Sequence, residues 1–194
     1  HCVKNKIPAL FRVHDIPDTR KLRKLQQTFI RFGVKIPLAK LVDPRKFNAV
    51  IEQVQDLPQF EQLQVLLLRT LPLAVYLTAN KGHFGLAADY YTHFTSPIRR
   101  YPDLVVHRAI KQKLKQQHSS KKKSQRNIIH TESSEMAELC SQHERRAEKA
   151  ERQSIDLMKV EFLASHTGQT FEASVTSVEK QGFKINIETH GIEW

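Results

Sequence analysis

The sequence predicts an α+β chain that is mostly helical and closes in a short β segment. Three observations lead to this. Apolar residues recur at helical spacing through most of the 194 residues. Acidic, proline and glycine punctuation falls where those stretches begin and end. In the final stretch, GQTFEASVTSVEKQGFKINIETHGIEW, the apolar period drops to two.

Taken in order, PALFRVHD (8–15) mixes apolar and polar residues over a strand-like length. A helix is expected over about 18–32, with Asp18 as N-cap, Gly33 as stop, and Leu22, Leu25, Phe29 and Phe32 on its inner face. The next helix opens in DPRKFNAVIEQV, with Asp43 as cap, Pro44 at the first helical position and Phe47, Val50, Ile51 and Val54 inward. A further helix runs through PQFEQLQVLLLRTL, and its Leu66, Leu67 and Leu68 are too apolar for a surface helix, so an interior position is expected. HSSKKKSQRNIIHT (118–131) loses the period and gathers Lys121, Lys122 and Lys123; it reads as a mobile loop, either a solvated insertion or a flexible phosphate contact. One long amphipathic helix is expected over about 132–163, with Met136, Leu139, Cys140, His143, Ala147, Ala150, Ser154 and Met158 as its inner stripe. Phe171, Ala173 and Val175 then alternate with polar residues, and Gly182 precedes FKINIE, giving two antiparallel strands about a glycine-containing turn. Two strands cannot close a core, so they read as the opening of a truncated β domain.

Thirty-one Lys and Arg against twenty Asp and Glu leave a net charge of +11, which points to a polyanionic partner, nucleic acid before membrane. No apolar run approaches the length of a membrane span. The opening HCVKNKIPAL has neither an initiator Met nor a signal-peptide core, so an internal piece of a soluble protein is expected. Cys2 and Cys140 have no metal-site or disulfide spacing, which favours a reducing cytoplasm.

The densest chemistry lies in HFGLAADYYTHFTSPIRRYPD (83–103). Pro102 is tolerated only in a first helical turn, so a helix bearing Val106, Ile110 and Leu114 is expected to start near Ile98 or Arg99, after a TSP entry turn. Arg99 and Arg100 then occupy the positive end of the helix dipole, and the repulsion must be offset either by an internal carboxylate, with one arginine paired to it and the other solvated, or by a bound anion. Phe84, Tyr90, Tyr91, Phe94 and Tyr101 could stack the bases of a single strand or serve as core. Asp103 and His107 share a face as either an acid/base pair or dipole complement plus bystander. His83 and His93 lack a characteristic metal-ligand spacing, which favours packing or hydrogen-bonding roles.

At these residues the chain resembles the ribonuclease II/ribonuclease R (RNB) family, through GHFGLAADYYTHFTSPIRRYPDLVVHRAI and, more loosely, PALFRVHD, LLLRT and ERRAEKA. The detailed wording is most similar to the family's ribonuclease R branch. The resemblance implies the C-terminal part of an RNB catalytic domain over 1–165 and, over 166–194, the truncated start of an OB-fold RNA-binding domain. It implies part of a processive 3′-to-5′ exoribonuclease that cleaves single-stranded RNA to nucleoside 5′-monophosphates. In such enzymes clustered aspartates hold magnesium, which activates water and stabilises charge on the phosphate.

Arg99 matches the family arginine at the scissile phosphate and is the expected catalytic residue. Arg99, Arg100, Ser96, His93, Tyr91 and Tyr101 are the expected RNA- and phosphate-binding residues. The family's aspartate cluster, aromatic clamp and catalytic glutamate precede the point matching His1, and Asp15, Asp18, Asp43, Asp56, Asp89, Asp103 and Asp156 are dispersed. Magnesium is therefore expected in the full-length enzyme, with no metal ligands in this chain and no activity of the fragment alone. The implied protein is a cytoplasmic monomer that binds single-stranded RNA and no membrane, with the ribosome or RNA-decay machinery as further partners. Two other classes compete: a noncatalytic RNA-binding module, and a helical interaction scaffold whose charge serves solubility.

Overall fold

Side-chain caps and buried stripes set the expected helices that follow Asp18 and Asp43 in the computed structural model, which describes residues 2–117 and 128–193. The chain forms two compact units, His1–His143 and Glu144–Trp194. The division falls inside the long helix rather than at its end.

In the first unit, β1 (Phe11–Val13) leads into α1 (Thr19–Arg31). The Asp18 side chain accepts from the Arg20 N–H at the start of α1, and Gly33 follows its end with φ +79°. Leu22, Leu25 and Phe29 are buried, whereas Phe32, already past the last turn, is exposed. A one-turn helix, α2 (Leu38–Leu41), went unread in the sequence because four residues cannot show a period. Asp43 and Pro44 open α3 (Pro44–Val54) as expected, with Phe47, Val50 and Val54 buried and Ile51 half-buried. In α4 (Phe60–Thr70), Leu67 is buried, but Leu66 and Leu68 are exposed and the expected all-round burial fails. The buried partners of Leu67 are Leu63 and Thr70, which lie on the same helical face, while its immediate neighbours point away. These helices share one core with Ile36, Leu41 and Phe84, and each fully buried Leu, Val or Phe there contributes about 1.5–3 kcal/mol.

β2 (Val75–Leu77) pairs antiparallel with β1, with Arg12 opposite Tyr76. Residues 82–94 run back along β1: the Arg12 N–H donates to the Tyr91 carbonyl (2.9 Å), the Phe84 N–H to the His14 carbonyl (2.8 Å) and the Thr92 hydroxyl to the Leu10 carbonyl. Phe84–Leu86 form a 3₁₀ turn. α5 (Tyr101–Gln117) begins later than expected, residues 97–99 forming a turn ahead of it. Val106 and Ala109 are its buried apolar positions, and Leu114 is exposed.

α6 spans Ile128–Ala164. Of the expected loop, residues 118–127 lie outside the described residues, while 128–131 are helical. The expected α6 stripe is corrected: Ala137 and Ser141 are buried, Cys140 is half-buried, and Leu139 and Met158 are exposed. Small residues let the helix approach Leu10 and Tyr76, and the Ser141 hydroxyl accepts the Tyr76 N–H (2.9 Å).

The second unit carries β3 (Ala173–Glu179), β4 (Gly182–Ile187) and a short β5 (Ile192–Glu193) in antiparallel order β3-β4-β5. The expected hairpin is present, with a register irregularity between Val175 and Ser177 and a third strand beyond it.

Gly85 decides how closely residues 83–86 approach β1. Its N–H donates to His14 Nδ1 (2.8 Å), and a Cβ built there would lie 2.8 Å from the same atom. His14 Nε2 meets the Pro72 carbonyl at 2.7 Å, so the ring is held with Nε2 protonated and Nδ1 accepting. Gly85→Ala should therefore cost about 1–3 kcal/mol by overpacking, lowering the thermal midpoint by about 2–4 °C per kcal/mol. An unchanged melt would show that the contact yields freely.

Candidate functional site

The site grows out of the turn that precedes α5. The Ser96 carbonyl accepts from the Arg99 N–H (3.3 Å) and the Arg100 N–H (3.0 Å), closing the turn around Pro97 and Ile98. Asp103, one helical position past Pro102, reaches back beneath it. Its Oδ1 accepts from the Ser96 N–H at 2.7 Å and from Arg100 Nη2 at 2.9 Å. Asp103 is wholly buried and Arg100 largely so. Of the two ways to offset paired arginines at a helix start, the internal carboxylate is present for Arg100. Arg99 is exposed, and no carboxylate among the described residues pairs with it. Its neighbour Ile98 is fully exposed at the tip of the turn.

Burial alone would raise the Asp103 pKa. The Ser96 N–H and the Arg100 guanidinium outweigh it, with a smaller contribution from nearby His93, and hold the carboxyl below its ordinary value. Asp103 Oδ2 and Arg100 Nε are buried with no hydrogen-bond partner among the described residues, so the ion pair rests on one short contact.

Beside the turn stands a row of rings. The Tyr76 hydroxyl shares a hydrogen bond with His93 Nδ1 (2.8 Å), and the Arg12 guanidinium lies over the Tyr76 ring at 4.6 Å. Tyr91 packs edge-on against His93 (5.7 Å) and His83 (5.1 Å). Burial, aided by His14 and Arg12, lowers the His83 pKa, which favours the neutral ring. A cleft of about 640 Å³ opens alongside, lined among others by Phe11, Tyr90, Tyr91, Phe94, Val106 and Ile110.

Of the residues expected to bind phosphate or RNA, Ser96, Arg99 and Arg100 thus share one turn, and Tyr91 and His93 share the row of rings. Tyr101 begins α5 and is half exposed. Phe84 leaves the aromatic group, since it is buried against Phe47 in the helical core. Asp103 and His107 are not paired: His107 Nε2 meets the Phe94 carbonyl (2.8 Å) and its ring stacks on Phe94 at 4.1 Å. Nor does Asp103 merely complement the helix dipole, because its carboxylate is spent on the turn. Its i,i+3 spacing from Arg100 was the sequence signal for this pairing. Among the described residues no group of three or more His, Cys, Asp or Glu is placed to hold a metal ion.

A model of the RNB domain matches residues 1–116. This chain belongs to the RNB family. The RNB chain is 40% identical to ribonuclease R of Escherichia coli K12 over 189 residues, covering 95% of itself and 23% of that protein. It is 37% identical to ribonuclease R of Thermotoga maritima, covering 96% of itself and 26% of the relative. It therefore spans about a quarter of the length of these curated relatives. Its fold matches Mycoplasma genitalium RNase R in complex with ribose-methylated single-stranded RNA, with a TM-score of 0.87 at 28% identity over 99% of this chain and 30% of that one. It also matches yeast Ssd1, a pseudonuclease, with a TM-score of 0.75 at 26% identity over 99% of this chain and 24% of the other.

The lowered Asp103 pKa gives a pH signature. A carboxyl whose folded value lies below its unfolded value, about 3.9, stabilises the fold above that range and loses the contribution as pH falls through the folded value. The groups facing it are the Ser96 N–H, Arg100 and His93. Thermal melts of the parental chain and Asp103→Asn should differ most near neutrality, with the difference shrinking as pH falls past about 4 and vanishing only below the lowered folded value. A difference independent of pH would contradict the ion pair.

Proposed function

We propose that this chain is the C-terminal part of the RNB catalytic domain, followed by the start of an OB-fold, of a 3′-to-5′ exoribonuclease that degrades single-stranded RNA processively to nucleoside 5′-monophosphates. The observation that carries this reading is the division between the two arginines: Arg100 is committed to a buried carboxylate, and Arg99, exposed on the same turn, pairs with no carboxylate among the described residues. A planar guanidinium can donate two parallel hydrogen bonds to the oxygens of a phosphodiester and stabilise the charge that gathers there as the ester is attacked. Tyr91 and the apolar cleft beside it offer ring faces to an unstacked base. The excess of cations supplies contacts along the rest of the strand.

In this reading Arg99 is the catalytic residue, with Ser96, Arg100, His93, Tyr91 and Tyr101 shaping its surroundings. Magnesium is held by residues outside this chain. Among the described residues no helix is long and apolar enough to cross a membrane. We place the protein in the cytoplasm as a monomer, in contact with the ribosome or the RNA-decay machinery. A second reading, a noncatalytic RNA-binding module, draws on the likeness to yeast Ssd1, a pseudonuclease.

Turnover separates the two readings. In the full-length protein, Arg99→Ala should lower kcat on single-stranded RNA about 100- to 1,000-fold, with affinity little changed because the other cationic contacts remain. Arg99→Lys should not restore it fully, since an ammonium lacks the planar fork. Loss through Arg100→Ala with Arg99→Ala near parental would reverse the assignment. A full-length protein that binds RNA but releases no nucleotide would favour the binding module.

The isolated 194-residue chain should release no monophosphate from labelled RNA in magnesium. Efficient release would place the metal ligands within it.

A further inference from the structure

Among the described residues Arg99 has no side-chain partner, yet its backbone is held from both sides. Its N–H donates to the Ser96 carbonyl, and the Ser96 N–H donates in turn to Asp103 Oδ1. On its other side, the Arg100 side chain meets the same carboxylate oxygen. One buried atom thus anchors the residues at both ends of the turn from which Arg99 projects. The same contact determines which arginine remains available. Arg100 is largely buried and holds, through Nη2, a carboxylate that solvent does not touch, which leaves it less available to a ligand than the exposed Arg99.

We infer that Asp103 is a positioning residue for Arg99, fixing the turn and sequestering Arg100 so that a single guanidinium is presented to the phosphate. This rests on the phosphate-binding reading of Arg99. Replacing Asp103 by Asn retains an oxygen able to accept the Ser96 N–H but removes the charge that holds Arg100. The turn then loses one of its two anchors, and a second, unpaired guanidinium competes beside the first. Neither change touches the strand-wide cationic contacts. The loss should therefore appear in turnover more than in affinity.

The test is a double-mutant cycle in the full-length protein with Arg99→Ala, Asp103→Asn and the double variant, each assayed for kcat and KM on single-stranded RNA and for thermal midpoint. Asp103→Asn should lower kcat about 10- to 100-fold, the scale of a reacting group displaced by about an ångström, with KM little changed. In the Arg99→Ala background it should lower kcat no further, because residues acting as a unit are not additive. An equal fall in both backgrounds would show a general structural role and overturn the inference, as would parental turnover of Asp103→Asn alongside a strong Arg99→Ala defect. Parental turnover of Arg99→Ala would instead sink the phosphate reading itself, and this inference with it. Should Asp103→Asn fail to fold, Asp103→Glu retains the charge, shifts the carboxylate by one methylene and enters the same cycle with the same expected and contrary results.

Discussion

The carboxylate of Asp103 is the constraint on which the turn that presents the candidate site depends. Two cationic side chains at a helix start face the positive end of the macrodipole, and a buried acid in the first turn compensates both the dipole and one of the cations. The arrangement is expensive to disturb. Removing one partner of a buried ion pair leaves the other charge desolvated, typically at about 3–5 kcal/mol. Because Oδ1 also accepts the Ser96 N–H, the same group fixes the backbone path into α5. Electrostatics and geometry are thus coupled in one atom.

That turn is only as rigid as what lies behind it. The preceding segment, residues 82–94, is fastened along β1 by main-chain bonds at Arg12 and His14 and by the Thr92 hydroxyl on the Leu10 carbonyl, and Gly85 permits the His14 contact because it lacks a Cβ. On the other edge of β1, Tyr76 links the site to α6 through its N–H and to His93 through its hydroxyl. β1 is three residues long, yet it organises both approaches to the site. A short strand can do this because both its edges are occupied, by β2 on one side and by the returning segment on the other.

Local signals were legible in the sequence, and signals that depend on distant partners were not. Asp18 and Asp43 announce α1 and α3 because a cap acts within its own turn. Gly182 announces the hairpin for the same reason. β2 was missed: Val75–Leu77 spans three residues, and only its pairing with Phe11–Val13 makes it a strand. The Leu66–Leu68 run misled, since apolar content states that a face is to be buried somewhere without saying which face or against what. The α6 stripe misled in the opposite way, because the residues that pack closely are the small Ala137 and Ser141 and not the large apolar ones. At the site, the arginines and their electrostatic difficulty could be read directly. That Asp103 answers Arg100 and not Arg99 required the fold, because i,i+3 and i,i+4 partners look alike on paper.

Membership of the RNB family and the fold shared with both an RNase R and a pseudonuclease place the weight of any functional claim on particular side chains, since one fold can host different activities. The central claim here is that one arginine is sequestered so that the other can meet a phosphate. The most direct measurement is a structure of the full-length protein with a short single-stranded RNA bound. The account predicts the Arg99 guanidinium within about 2.7–2.9 Å of a non-bridging oxygen of the terminal phosphodiester, with Arg100 still on Asp103. A structure in which Arg100 has left Asp103 to contact the phosphate, or in which Arg99 remains in solvent, would contradict it.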